Sequence, residues 1–206
     1  NPQEAVEIAI KLCKDTSKVY SLANAYQVLS NIYSRQNNKE KALEYAQLSL
    51  KVDEESNSVH LGKSYALVGS SYKDIDIVKS LEYFNKAVAF FEKDNDLQAL
   101  GNVYHEIGSI YEKTQQIDKA IEYFNKSLEI SEKRNDKWTT IENYLGLEGA
   151  YYKNKNYKLS EEFRNKYITV SKELGREEEL GQMYGVFADR FKDSNPNESE
   201  KFLLLS

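Results

Sequence analysis

Aromatic residues seven positions apart return along this chain at a nearly constant interval. The stretch Tyr26 to Tyr33 aligns with Tyr65 to Tyr72, Tyr104 to Tyr111, Tyr144 to Tyr151 and Tyr184 to Phe191, so the first aromatic recurs after 39, 39, 40 and 40 residues. Three positions after it stand Leu29, Val68, Ile107, Leu147 and Phe187. A spacing of i, i+3, i+7 marks one face of a helix, and each segment is predicted to be amphipathic with an aromatic at both ends of its buried stripe. A second stripe follows each first one, in Ala42-Leu43-Glu44-Tyr45-Ala46, Ser80-Leu81-Glu82-Tyr83-Phe84, Ala120-Ile121-Glu122-Tyr123-Phe124 and Ser160-Glu161-Glu162-Phe163-Arg164. A small residue opens it, which allows two helices to cross closely.

Polar turns separate the stripes. Asn37-Asn38, Asp74 to Asp76, Gln115-Gln116 and Asn154 to Asn156 divide the two helices of a pair, while Glu55 to Ser58, Asp94-Asn95-Asp96, Asn135-Asp136 and Leu174-Gly175 divide one pair from the next. Asn, Asp and Gly suit helix caps and stops. Two helices of about 16–18 residues and their turns fill the period and leave no room for a strand. The expected organisation is a half-repeat over 1–14, with Glu4-Ala5-Val6-Glu7-Ile8 matching the start of a second helix, and then repeats over about 17–56, 57–94, 95–134, 135–174 and 175–206. Pro196 suits the first turn of the last helix. Solenoids need polar ends, and Phe202-Leu203-Leu204-Leu205 is apolar. The expectation is therefore a segment of a longer protein, or an end that packs on a second copy.

Composition agrees with a folded helical chain. Of 206 residues, 40% are hydrophobic and 30% charged, with only two prolines and nine glycines. The net charge of −5 disfavours a nucleic-acid or anionic-lipid footprint. Cys13 has no second cysteine to pair with and reads as a small core residue.

The residues at the repeat positions resemble the tetratricopeptide repeat. The copy at 101–134 carries Tyr104, Ile107, Gly108, Tyr111, Ala120, Phe124 and Ser127 at the family's offsets, and the copy near Leu61 carries Tyr65, Val68, Gly69, Tyr72, Ser80, Phe84 and Ala87 with a turn one residue shorter. The resemblance implies an all-α fold, a right-handed superhelical solenoid of antiparallel helix pairs. Departures stand beside it: the family's closing proline is absent and Glu132 occupies its place in the best copy, the period is 40 rather than 34, and in the fourth copy Glu148 replaces Gly and Arg164 the aromatic. The long variant is similar to bacterial Rap-type peptide receptors, to Leu-Gly-Asn repeat adaptors and to sensor regions of bacterial regulators. It implies a protein- or peptide-binding module within a larger regulatory protein; the alternative is a scaffold that self-associates, as a homodimer through its C-terminal helix.

No catalytic constellation is legible. His60 and His105 are 45 residues apart without acidic or cysteine partners at ligand spacing. Asp74-x-Asp76 and Asp94-x-Asp96 lack the later residues of a calcium loop and read as caps and turns. Glu177-Glu178-Glu179 fits the first turn of a helix. There is no P-loop, nucleophile elbow or dinucleotide fingerprint, so neither cofactor, metal nor enzymatic activity is expected.

In tetratricopeptide arrays the first helices line the concave surface. Positions two before, one after and five after each first aromatic are thus expected to face a groove: Asn24, Gln27 and Asn31; Lys63, Ala66 and Ser70; Asn102, His105 and Ser109; Glu142, Leu145 and Gly149; Gln182, Gly185 and Asp189. The polar ones suit an extended peptide, whose backbone needs donors and acceptors. Leu145 and Gly149, with Tyr152 beside them, suit an apolar side chain. Asn24, Gln27, Asn31, Lys63, Ser70, Asn102, His105, Ser109, Leu145 and Tyr152 are the expected peptide-binding residues. Gln27 stands where the family's carboxylate clamps carry lysine, so that clamp is not expected.

Overall fold

The computed structural model of the chain describes Lys11, residues 19–192 and residues 195–206. The half-repeat expected over 1–14, including Cys13, lies outside the described residues apart from Lys11. Over residues 19–206, among the described residues, ten helices run in order: α1 Val19–Arg35, α2 Lys39–Glu55, α3 Leu61–Tyr72, α4 Ile77–Asp94, α5 Leu97–Lys113, α6 Ile117–Lys133, α7 Lys137–Lys153, α8 Tyr157–Glu173, α9 Glu177–Phe191 and α10 Pro196–Leu203. No strand occurs among the described residues.

The predicted caps form. Asn38, Asp76, Asp96, Asp136, Asn156 and Asn195 each accept, through the side chain, a backbone N–H of the first turn that follows. Such a cap is worth about 1 kcal/mol. Helices stop at residues in the left-handed region, Asn37, Asn57, Asn95, Gln115, Asn135, Lys155 and Gly175, with φ between 48° and 65°. Asp76 and Asp96 are therefore caps rather than calcium ligands, and Asp74 pairs with Lys39 (3.3 Å) and Lys113 (2.7 Å). Within the first four repeats one helix is shorter than its period predicts: α3 has 12 residues. Ahead of it the chain spends residues 57–60 on a turn, in which the His60 amide donates to Ser58 Oγ at 3.1 Å.

Each repeat closes on itself through three aromatic rings. The two aromatics of the first helix bracket one from the second: Tyr26 and Tyr33 around Tyr45 (6.1 and 5.4 Å), Tyr65 and Tyr72 around Tyr83 (6.3 and 5.8 Å), and Tyr104 and Tyr111 around Tyr123 (5.8 and 5.5 Å). Tyr144 and Tyr151 around Phe163, and Tyr184 and Phe191 around Phe202, complete the series at 5.6 to 6.0 Å. Each ring pair adds about 0.5–1.5 kcal/mol beyond its buried area. This is why the seven-residue gap persists where other repeat positions decay.

A second set of contacts fixes depth. Phe84 lies on Gly69 and Phe124 on Gly108 so closely that a Cβ at either glycine would meet the ring at 3.0 and 2.8 Å. Phe124 also reaches Gly146 of the next repeat, where a Cβ would meet it at 2.9 Å.

Successive repeats are stapled at the position of the missing proline. Tyr65, Tyr104 and Tyr144 each donate a hydroxyl to the preceding repeat, to Glu54 (3.3 Å), Glu92 (3.0 Å) and Glu132 (3.0 Å). Partial burial, and then the bond to the carboxylate, push the Tyr104 and Tyr144 hydroxyls up to about 12. At three equivalent positions the four junctions alternate in chemistry. At the first, Gln27 Nε2 donates to Ser64 Oγ (3.3 Å), which donates to buried Asp53 (2.5 Å), with Ser49 Oγ 3.3 Å away. At the third, Asn143 Nδ2 donates to Ser127 Oγ (2.8 Å), and Asn143 Oδ1 lies 2.9 Å from His105 Nδ1. With the amide nitrogen spent on Ser127, His105 donates. The same positions are Ala66, Val103 and Ala87 at the second junction and Leu145, Met183 and Tyr167 at the fourth. A polar junction stacked on an apolar one would leave buried groups unpaired, so the alternation favours the native order of repeats.

The backbones of consecutive first helices approach closely, α1 with α3, α3 with α5 and α5 with α7; among the described residues no two second-helix backbones do. The first helices thus lie on the inside of the curve. α9 departs from this: it makes no close approach to α7, and its approach to α8 is sparse.

Two outcomes test this packing. Gly108→Ala should lower stability by about 1–3 kcal/mol through the forced ring, whereas Gly185→Ala, where a Cβ meets nothing within 4 Å, should raise it by about 0.5–1 kcal/mol through helix propensity; urea unfolding reads both. The raised tyrosines stabilise the folded chain below the ordinary tyrosine value, near 10, and that contribution is lost as pH climbs from there through 12. Absorbance titration should show two tyrosines ionising last, and Glu132→Gln should move Tyr144 back toward 10.

Candidate functional site

The splay of α9 has a local cause in three neighbouring substitutions. In the fourth repeat Glu148 stands where Gly69 and Gly108 stand, Arg164 where Phe84 and Phe124 stand, and Tyr167 where Ala87 and Ser127 stand. Two of these are large for small, and all three are buried. Instead of a ring lying on a glycine, Glu148 Oε2 is held by the Arg190 guanidinium of α9, and Glu148 Oε1 accepts from Ser160 Oγ at 3.2 Å. Arg164 turns toward the last repeat and stacks on Phe191 (4.7 Å), Phe202 (5.4 Å) and Phe187 (5.8 Å). Burial depresses its guanidinium, and the charge of Glu148 opposes that shift. The last junction is therefore bridged by long charged and aromatic side chains, and α9 stands off from α7.

A recess of about 560 Å³ opens in the gap, within the range of ligand pockets. α5 contributes His105, Ser109 and Glu112, α6 Phe124, α7 Glu142, Leu145, Gly146 and Gly149, and α9 Met183, Val186 and Arg190. On α9 the lining residues are not the expected Gln182, Gly185 and Asp189. Val186 and Arg190 correspond in register to Gly146 and Ala150, which in the fourth repeat are turned toward the packed neighbour or buried. With α7 drawn away, Val186 is 42% exposed and Arg190 reaches back to Glu148.

The expected groove residues divide among several places. His105, Ser109 and Leu145 meet in this recess. His105 is half-buried, its ring 5.3 Å from Phe124, so it serves the third junction as well as the recess. Tyr152 lies beside it, donating to the Arg190 carbonyl (3.1 Å) with the Arg190 guanidinium over its ring (5.3 Å). Lys63 and Asn102 line a separate hollow of about 360 Å³ between α3 and α5, with Ala66, Phe91 and Asp96. Ser70 borders a small one of about 80 Å³ with Asp74. Asn24 and Asn31 are exposed on α1, and Gln27 is engaged at the first junction. Sequence spacing missed Glu112, Gly146, Met183, Val186 and Arg190. The one signal that could have found them is the loss of the repeat pattern at Glu148 and Arg164.

The charges around the recess are unevenly committed. Arg190 neutralises Glu148, which has no exposed surface. Glu112 pairs with Lys153 at 3.1 Å. Among the described residues no cation pairs with exposed Glu142. No group of three His, Cys, Asp or Glu side chains suited to a metal ion occurs among the described residues, and no helix there is long and apolar enough to cross a membrane.

Removing one partner of the buried pair strands the other, at a cost of about 3–5 kcal/mol. Arg190→Met should show that loss in urea unfolding, and the double variant Glu148→Gln with Arg190→Met should recover most of it.

The tetratricopeptide repeat family model matches residues 23–56 and 101–134. No curated protein sequence matches the chain. Solved structures do. Aspartyl phosphate phosphatase F from Bacillus subtilis is 18% identical with a TM-score of 0.78, over 87% of this chain and 48% of that one. The apo form of RapI is 20% identical with a TM-score of 0.76, over 99% and 74%. A signal transduction ATPase with numerous domains and a tetratricopeptide repeat sensor, from Pyrococcus horikoshii, is 23% identical with a TM-score of 0.77, over 96% and 32%. The chain thus spans about half the length of the phosphatase and a third of the ATPase. At these identities the likeness is one of fold. The chain thus carries two segments that match the tetratricopeptide repeat, within a solenoid of stacked helix pairs whose fold is similar to that of RapI and of aspartyl phosphate phosphatase F.

Proposed function

We propose that the chain is a peptide- or protein-recognition module, the sensor or scaffold segment of a larger regulatory protein, that takes an extended segment along the inner face of its first helices. The observation that carries this reading is the recess between α5, α7 and α9, where apolar Leu145, Met183 and Val186 stand open beside polar Ser109 and His105. That mixture suits a side chain anchored below and a backbone hydrogen-bonded above. The neighbours support it by analogy: one is described as carrying a tetratricopeptide repeat sensor within a multidomain ATPase. At 18% identity the phosphatase named among them is a likeness of fold, and its activity is not carried over to this chain.

Selection of displayed peptides on the folded chain tests the reading. Selected peptides should bind at least tenfold more weakly to Leu145→Asp than to the native chain, with unchanged circular dichroism. Asn125→Asp, on the exposed side of α6, should leave binding intact. Equal affinity for the native chain and Leu145→Asp would place recognition elsewhere.

A second reading rests on the C-terminal end. Leu203, Leu204 and Leu205 are 58%, 80% and 56% exposed, a run of apolar surface suited to contact with another copy. Sedimentation over a wide concentration range should then show a dimer that Leu204→Glu disrupts, and a monomer throughout would exclude it.

A further inference from the structure

We infer that the recess between α5, α7 and α9 selects a peptide segment in which an apolar residue stands next to a lysine or arginine. The inference rests on the recognition reading above and adds the chemistry of the occupant. The floor supplies the apolar half. Phe124, Leu145, Met183 and Val186 surround Gly146 and Gly149, which bring no side chain into the space. Burying one leucine-sized group there is worth about 1.5–3 kcal/mol.

The rim supplies the charge. Of the ionised groups lining the recess, the single cation is Arg190, and it is committed to Glu148 beneath the floor. An incoming carboxylate could recruit it only by leaving Glu148 buried and unpaired, which is strongly unfavourable. The carboxylates are freer. Glu142 is exposed and pairs with no cation among the described residues. Glu112 opens onto the recess across Gly149, where even a Cβ would lie 3.1 Å from its Oε1. Lys153 holds Glu112 at 3.1 Å from a partly exposed position, an ion pair that solvent weakens. A cationic side chain beside the anchored residue thus meets one unpaired carboxylate and a second weakly paired one, whereas an acidic one meets like charge. An apolar floor under a carboxylate rim, with its only cation already spent, is complementary to a basic-apolar pair and to neither an acidic nor a wholly apolar segment.

Affinity selection from a hexapeptide library, acetylated and amidated so that only side chains carry charge, tests this against the native chain and Glu142→Lys. The retained pool should be enriched several-fold in Lys or Arg adjacent to Leu, Ile, Met or Phe, and Glu142→Lys, with unaltered circular dichroism and melting temperature, should abolish that enrichment. A retained pool that is acidic or without charge preference overturns the inference and leaves groove recognition standing. A basic enrichment untouched by Glu142→Lys overturns the assignment to this recess. A library from which nothing is retained overturns both readings.

Discussion

In the second and third repeats the helix spacing is set by an aromatic ring lying on a glycine backbone. Phe84 on Gly69 and Phe124 on Gly108 bring the two helices of a pair within reach of each other, and Phe124 extends the contact to Gly146 on the next first helix. No repeat can bury its faces alone, so this close approach governs the rest. Alongside it, paired aromatics bracket a third ring in every repeat, Tyr65, Tyr104 and Tyr144 stand beside the glutamate of the repeat before, and α1, α3, α5 and α7 stay in contact along the inner face.

The binding candidate arises where that constraint is broken. A carboxylate at Glu148 cannot lie under a ring, and Arg164 cannot replace the ring in an apolar contact. Together with Tyr167 they require partners of their own, which α9 and α10 provide through Arg190, Phe187, Phe191 and Phe202. Long side chains hold helices farther apart than glycine and phenylalanine do. The recess is the space this substitution leaves, and Arg190 both neutralises the cause and lines the result. A protein that gives up close packing at one junction gains a concavity there without loosening the other three.

The alternation of polar and apolar junctions adds a second level of order. Gln27, Ser64 and Ser49 answer one another at the first junction as His105, Asn143 and Ser127 do at the third. The apolar sets lie between and after them. Repeats of nearly equal shape could stack in the wrong order; unpaired buried polar groups make the wrong order costly.

The periodic aromatics determined, from sequence alone, that the chain is a stack of antiparallel helix pairs, because a 39–40-residue recurrence of a seven-residue aromatic gap has one helical solution. The caps at Asp76, Asp96 and Asp136 were equally legible, since they act within a few residues of themselves. The inner-face positions of the first four repeats were legible in part: His105, Ser109 and Leu145 do meet in one recess. Periodicity assigned the inner face of α9 by extrapolation, to Gln182, Gly185 and Asp189, and there Met183, Val186 and Arg190 line the recess instead. The reason is that register along a helix is a local property, whereas the distance between two helices depends on side chains contributed by four of them. Sequence displayed Glu148 and Arg164 as decay of a pattern. Only the tertiary structure, by setting Glu148 against Arg190 and Arg164 against three rings, showed that the decay is a rearrangement that opens a recess.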